Sequence, residues 1–207
     1  MTEQRTRTLG VVVFTGFELL DVFGPLEMFG NLTGVVEVAM VAQTKGAVAS
    51  AQGPAAVAAY DFTDAPHFDL LLVPGGIGTR TEVDNPVLLE WLAQRVRTAE
   101  IAMSVCTGAA LFARAGVLDG RRATTNKRSF RWVTEQGPRV NWIKEARWVD
   151  DGKFVSSSGV SAGIDMALAV IARLSGQDVS VMLATAAEYE WHQDASWDPF
   201  AKIHGLV

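Results

Sequence analysis

Along this chain, apolar runs alternate with segments whose apolar residues recur at helical spacing. "TLGVVVF" is nearly continuous and β-branched, which predicts a strand buried on both faces. "LLDVFGPLEMFG" follows as a helix approached through a turn, with Gly24-Pro25 interrupting its start. "VVEVAMVA" reads as the next strand. "AVASAQ" and "AAVAAY", on either side of Gly53-Pro54, read as a hairpin beside the main sheet. "DLLLVPGG" is a strand ending in Pro74-Gly75-Gly76. "NPVLLEWLAQRVRTA" has Asn85 at a helix N-cap, Pro86 in the first turn and its apolar residues mostly on one side.

"IAMSV" is another strand, and "GAALFARAGVL" a helix ending near Gly116. "ARWVDDGKFVSSSG" reads as strand, Asp-Asp-Gly turn, strand. "GIDMALAVIARLSG" is a helix stopped by Gly176, and "DVSVMLATAAEYEW" a further helix capped by Asp178. Strand and helix alternate with short joins and no linker or repeat. That order predicts one α/β domain over residues 1–207, with a mostly parallel sheet and helices on both faces.

Composition adds exclusions. The 207 residues are 49% hydrophobic and 20% charged, with a net charge of -5, which suits one well-buried domain and no nucleic-acid partner. The densest basic cluster, "NKRSFR", reads as a solvated helix face. "MTEQRTRT" has no secretory pattern, and the longest near-apolar stretch, "IDMALAVIARL", is too short to span a bilayer. A single cysteine forms no intramolecular disulfide, so a cytoplasmic location is expected. The scattered His and Cys offer no metal-ligand spacing.

That one cysteine, Cys106, stands where the strand "IAMSV" hands over to a helix. A lone cysteine is often a small buried hydrophobe. Here, however, Ser104-x-Cys106-x-Gly108 has the form of a nucleophile elbow, in which small neighbours permit the sharp turn that exposes the central side chain. The following helix aims unpaired N–H groups at the sulfur, so a lowered thiol pKa is expected. The histidines, His67, His192 and His204, are all distant from it in sequence. Asp21, just after the first strand, falls at the same carboxyl end of the sheet, where ligands bind in open α/β folds. It reads equally as a helix cap. Glu27 is the competing acid, or part of a solvated face. Gly75 and Gly76 let backbone N–H groups approach a ligand and can form an oxyanion site, although Gly-Gly is commonly just a tight turn.

"LLDVFGPLEMF", "DLLLVPGG", "SVCTGAALFARAGVLDGRRATTN" and "SSGVSAGIDMAL", in that order, resemble the motifs of the DJ-1/PfpI superfamily from about Thr8 to Leu174. Within it the chain looks most like the isocyanide hydratases, and next like the sensor domains of AraC-type regulators. The resemblance implies a homodimeric flavodoxin-like sandwich acting on a small molecule without a cofactor. It also implies a catalytic set of Cys106, Asp21 and Thr107, with Gly159 and Val160 bordering the substrate pocket. Three departures stand out: Asn126 where those relatives usually carry His, Ser157-Ser158 in place of glycines, and a Trp-rich tail. Thr107, where protease-like and glyoxalase-like members carry His, argues against those activities. The expected reaction is hydration of an isocyanide to a formamide through a Cys106 thioimidate. The alternatives are a ligand or redox sensor without turnover, or a glyoxalase-like enzyme. A chain ending at Val207 is expected to carry no DNA-binding domain.

Overall fold

The computed structural model describes residues 5–207. The first half of "MTEQRTRT" therefore lies outside the described residues. The chain begins with β1 (Arg7–Val12), α1 (Leu19–Gly30) and β2 (Val36–Ala42), then the small strands β3 (Gly46–Ala49), β4 (Ala55–Ala58) and β5 (Tyr60–Asp61). β6 (Leu70–Val73), α2 (Thr79–Glu82), α3 (Pro86–Thr98), β7 (Ile101–Ser104) and α4 (Gly108–Arg114) follow. Next come β8 (Arg122–Ala123), α5 (Phe130–Gln136), β9 (Asn141–Trp142), β10 (Trp148–Asp151) and β11 (Phe154–Ser157). The last elements are α6 (Ala162–Ser175), α7 (Gln177–Ala186) and α8 (Phe200–Ile203).

The main sheet runs β10-β11-β7-β6-β1-β2-β5, and only the edge pair β10–β11 is antiparallel. Every residue of β6 and β7 is buried, as continuous apolar strands between two helical layers must be. α1 packs on α6 and α6 on α7, while α4 packs with α2, α3 and α5. This is the mostly parallel α/β sandwich expected from the alternation of elements. The β3–β4 hairpin stands apart from the main sheet, also as expected. Asn85 caps α3, its Oδ1 accepting from the Val87 and Leu88 N–H groups.

Three local expectations change. Gly24-Pro25 does not interrupt α1, which runs continuously through it. The missing proline N–H costs one helical bond, but packing against α6 holds the helix straight through. A Cβ on Gly24 would meet Ile164 of α6 at 2.8 Å, and one on Gly163 of α6 would lie 3.4 Å from the Pro25 ring. Asp178 lies inside the first turn of α7 without a side-chain cap, and that helix stops at Ala186, leaving "EYEW" irregular. The "NKRSFR" cluster is not a solvated helix face. Lys127 is buried, donating to Thr124 Oγ1 at 2.7 Å and the Ala146 carbonyl at 2.5 Å, and burial lowers its pKa to about 8. Among the described residues, no helix is long and apolar enough to cross a membrane.

Candidate active site

Four chain segments meet at the carboxyl ends of adjacent parallel strands: the start of α1 after β1, Pro74-Gly75-Gly76 after β6, Cys106 after β7, and Gly159-Val160 after β11. At the boundary between β1 and β6 the strand order reverses direction, which opens a crevice at that edge.

Cys106 adopts φ +56°, a left-handed conformation that side chains rarely take and that costs on the order of 1–3 kcal/mol. Cys106 thus stands in a tight turn between β7 and α4, where Ser104-x-Cys106-x-Gly108 predicted a change from strand to helix. Gly108 is needed because a Cβ there would sit 2.3 Å from the Val73 carbonyl oxygen. Fixed bonds hold the turn: the Cys106 N–H donates to the Ser158 carbonyl at 3.1 Å, and Thr125 Oγ1 donates to the Cys106 carbonyl at 2.8 Å.

The sulfur is nearly enclosed, Cys106 being 6% exposed. The Thr107 N–H, the Val160 N–H and the Asn126 side-chain amide point donors at it. Val160 presents its N–H from a second strained backbone, at φ +49°. The expectation of a lowered thiol pKa is nevertheless corrected. Burial, and then the charge of Asp21, push the thiol well above its ordinary value, outweighing those donors. The helix behind the elbow spans only Gly108–Arg114, too short to offset that burial.

Asp21 is 0% exposed and is not a helix cap. Its Oδ2 accepts from the Gly75 N–H at 2.8 Å, across to another strand's end, and its Oδ1 accepts no hydrogen bond of good geometry among the described residues. Burial pushes this carboxyl up to about 7; the Gly75 N–H opposes the rise, the charge of Glu18 adds to it, and Cys106 opposes it. A carboxyl and a thiol that act on each other's ionisation share protons as a pair.

Gly75 and Gly76 build the site without offering it an oxyanion hole. The Gly75 N–H is committed to Asp21 and the Gly76 N–H to Thr107 Oγ1 at 3.1 Å. A Cβ on Gly75 would fall 2.5 Å from Thr107 N and 2.9 Å from Asp21 Oδ2, so no side chain fits there. The Thr107 hydroxyl is engaged with the Gly76 backbone and Thr79 Oγ1, which leaves its N–H as the group that faces the sulfur. Gly159 gives room to Asn126, whose Nδ2 would lie 2.3 Å from a Cβ placed there. A cavity of about 310 Å³ opens beside these residues, lined by Asn126, Ser158, Gly159, Val160 and, from the tail, Phe200 and His204.

The other sequence candidates fall elsewhere. Glu27 is exposed, bonded to Asn31. His67 sits beside Asp69, and the His192 backbone N–H binds Asp165. Sequence reasoning noted Asn126 only as a departure and missed Glu18 and Arg80, which act on Asp21 and respond to Cys106 respectively. The substitution after Ala-Thr-Thr was the available signal for Asn126. Among the described residues, no three His, Cys, Asp or Glu side chains gather as a metal-holding group.

The sequence matches the DJ-1/PfpI family over residues 7–173. It is 31% identical over 183 residues to an isonitrile hydratase of Pseudomonas putida, covering 87% of this chain and 78% of that protein. It is 33% identical over 116 residues to the HTH-type transcriptional regulator CdhR of Pseudomonas aeruginosa, covering 56% of this chain and 34% of the regulator. The crystal structure of a ThiJ/PfpI family protein from Pseudomonas syringae superposes with a TM-score of 0.84 at 29% identity, covering 91% of this chain and 77% of that one.

Proposed function

The chain belongs to the DJ-1/PfpI family, and from that membership we propose that it is an enzyme that hydrates isocyanides to N-substituted formamides. The observation that carries the reading is the pairing of Cys106 at a strained elbow with a fully buried Asp21 whose carboxyl titrates near neutrality. A carboxyl near 7 is protonated in a large share of molecules at neutral pH, and protonation removes the charge that most opposes the thiolate after burial. Once Asp21 ionises the pair holds one proton, which rests on the sulfur and passes to Asp21 as the three donors around the sulfur take up the thiolate.

In this reading the Cys106 thiolate adds to the terminal carbon of the isocyanide while Asp21 delivers its proton to that same carbon, giving a thioimidate. Asp21, now ionised, takes a proton from an entering water whose oxygen bonds to the carbon. Collapse breaks the carbon–sulfur bond and returns the thiolate, the hydroxyl proton passes to nitrogen, and the formamide leaves. One water is consumed and the carboxyl ends protonated, as it began. The Thr107 hydroxyl and the Gly75 and Gly76 N–H groups hold the pair in register. No step calls on a cofactor.

Likeness to the regulator CdhR, together with the enclosure of the thiol, favours a ligand sensor as the second reading. An assay of formamide release from an aryl isocyanide separates the two, with Cys106→Ala as the reference. Turnover in wild type alone supports the hydratase, and none in either favours the sensor.

A further inference from the structure

Arg80, on α2, lays its guanidinium over the Trp132 ring of α5, with Cζ 3.5 Å from the ring centroid. Its polar contacts are two long ones, to Thr79 Oγ1 at 3.4 Å and Ser129 Oγ at 3.3 Å. It takes part in no ion pair among the described residues. Arg95 provides an internal contrast. It also lies over an indole, that of Trp91, but its fork is filled by the Pro66 and Ala65 carbonyls at 2.9 and 2.8 Å. A guanidinium has five donors in a planar fork, and a half-buried one without a carboxylate leaves much of that capacity unused.

The two contacts also place Arg80 at the site. Thr79 Oγ1 is bonded to Thr107 Oγ1 at 3.1 Å, and the Ser129 N–H is bonded to Asn126 Oδ1 at 3.0 Å. Thr107 and Asn126 both touch Cys106, so Arg80 is bracketed by neighbours of the nucleophile, and it responds to the charge of the sulfur. The stack on Trp132 fixes the plane of the fork, which lowers the entropy lost when a planar anion binds it.

We propose that Arg80, held flat on Trp132 with Ser129 beside it, is the carboxylate-binding subsite of the substrate pocket, and that the preferred substrate is an isocyanide bearing a carboxylate. This rests on the hydratase reading for the reacting group, but the anion subsite itself does not. The net charge of -5 makes the molecule as a whole repel anions, so a preference for one points to a local cation.

The test compares 4-isocyanobenzoate with its methyl ester on wild type, Arg80→Gln and Arg80→Lys. Wild type is expected to favour the carboxylate in kcat/KM by about tenfold or more, a bidentate charge-assisted pair being worth that much. Arg80→Gln brings the ratio close to one, and Arg80→Lys, with the charge but not the fork, falls between. Equal turnover of both compounds by wild type, or a ratio unchanged in Arg80→Gln, overturns the subsite while leaving the hydratase reading intact. Calorimetry with the product pair, 4-formamidobenzoate and its methyl ester, reads the subsite without turnover. If neither isocyanide reacts but Arg80→Gln weakens carboxylate binding tenfold relative to the ester, the subsite stands and the hydratase reading falls. Loss of both effects sinks both.

Discussion

Asp21 has one oxygen held by the Gly75 N–H, its carboxyl interacts with the Cys106 thiol, and it has no water-exposed surface. Its folded-state pKa of about 7 lies above the ordinary 3.8, so the folded protein keeps a proton that the unfolded chain releases across that window. Stability from this group is therefore present at acidic pH and lost as pH rises toward 7. A shift of this size corresponds to on the order of 4 kcal/mol. Asn keeps the Gly75 bond and carries no charge. The difference in denaturation free energy between Asp21→Asn and wild type should thus grow in favour of the variant from pH 5 to pH 8. A constant difference across that range would mean that Asp21 does not titrate there. Activity has the same origin but a different readout: wild-type kcat/KM should rise with pH through about 7, as the pair passes from two protons to the single one the reaction uses. Asp21→Asn should be slower by ~10²–10⁴, the usual loss for a general acid–base group. That Cys106 and Asp21 meet at the carboxyl end of the sheet was legible in the sequence, because small neighbours and chain position mark them. The strained φ of Val160 was not, since β-branched residues disfavour that region. Nor was the role of Asn126, which depends on contact with Gly159 far along the chain.

At the scale of elements, the turn between β7 and α4 works because Gly108 lets the helix start against the carbonyl oxygens of Val73 and Pro74. Gly108→Ala should cost roughly 1–3 kcal/mol, the usual penalty of forced overpacking, and should also slow thiol alkylation or turnover by moving Cys106. A melting temperature and activity both equal to wild type would show that the turn has slack. Long elements were readable from their patterns: β1 and β6 as continuous apolar runs, α3 from Asn85-Pro86, and β10–β11 from Asp151-Gly152. The two-residue strands β5, β8 and β9 and the four-residue helices α2 and α8 were not, since such short segments carry no period. α2 matters most among these, because it carries Arg80.

Across the whole molecule, the Trp-rich tail is tied down by one buried ion pair. Arg147 binds Asp165 Oδ2 at 2.6 Å, while Asp165 Oδ1 accepts from the Tyr189 hydroxyl and the His192 N–H, and the Ala195 carbonyl accepts from the Arg147 N–H. Arg147→Met would strand a buried carboxylate, a loss of about 3–5 kcal/mol. Faster proteolysis between Ala187 and Trp197 is the expected sign, and unchanged protection would mean that the tail is held by other contacts. A homodimer is the assembly we propose, consistent with Leu20 and Phe23 standing 40% and 43% exposed on α1. Light scattering at micromolar concentration should give twice the 22.3 kDa chain mass, and a monomer mass would refute it. In the proposed reaction Cys106 becomes bonded to the isocyanide carbon. Rapid quench of the protein with an aryl isocyanide, followed by intact-mass spectrometry, reads that directly. The predicted result is a transient adduct of the isocyanide's mass on Cys106 that decays as formamide appears and is absent in Cys106→Ala. Formamide released at the same rate by Cys106→Ala would contradict the account.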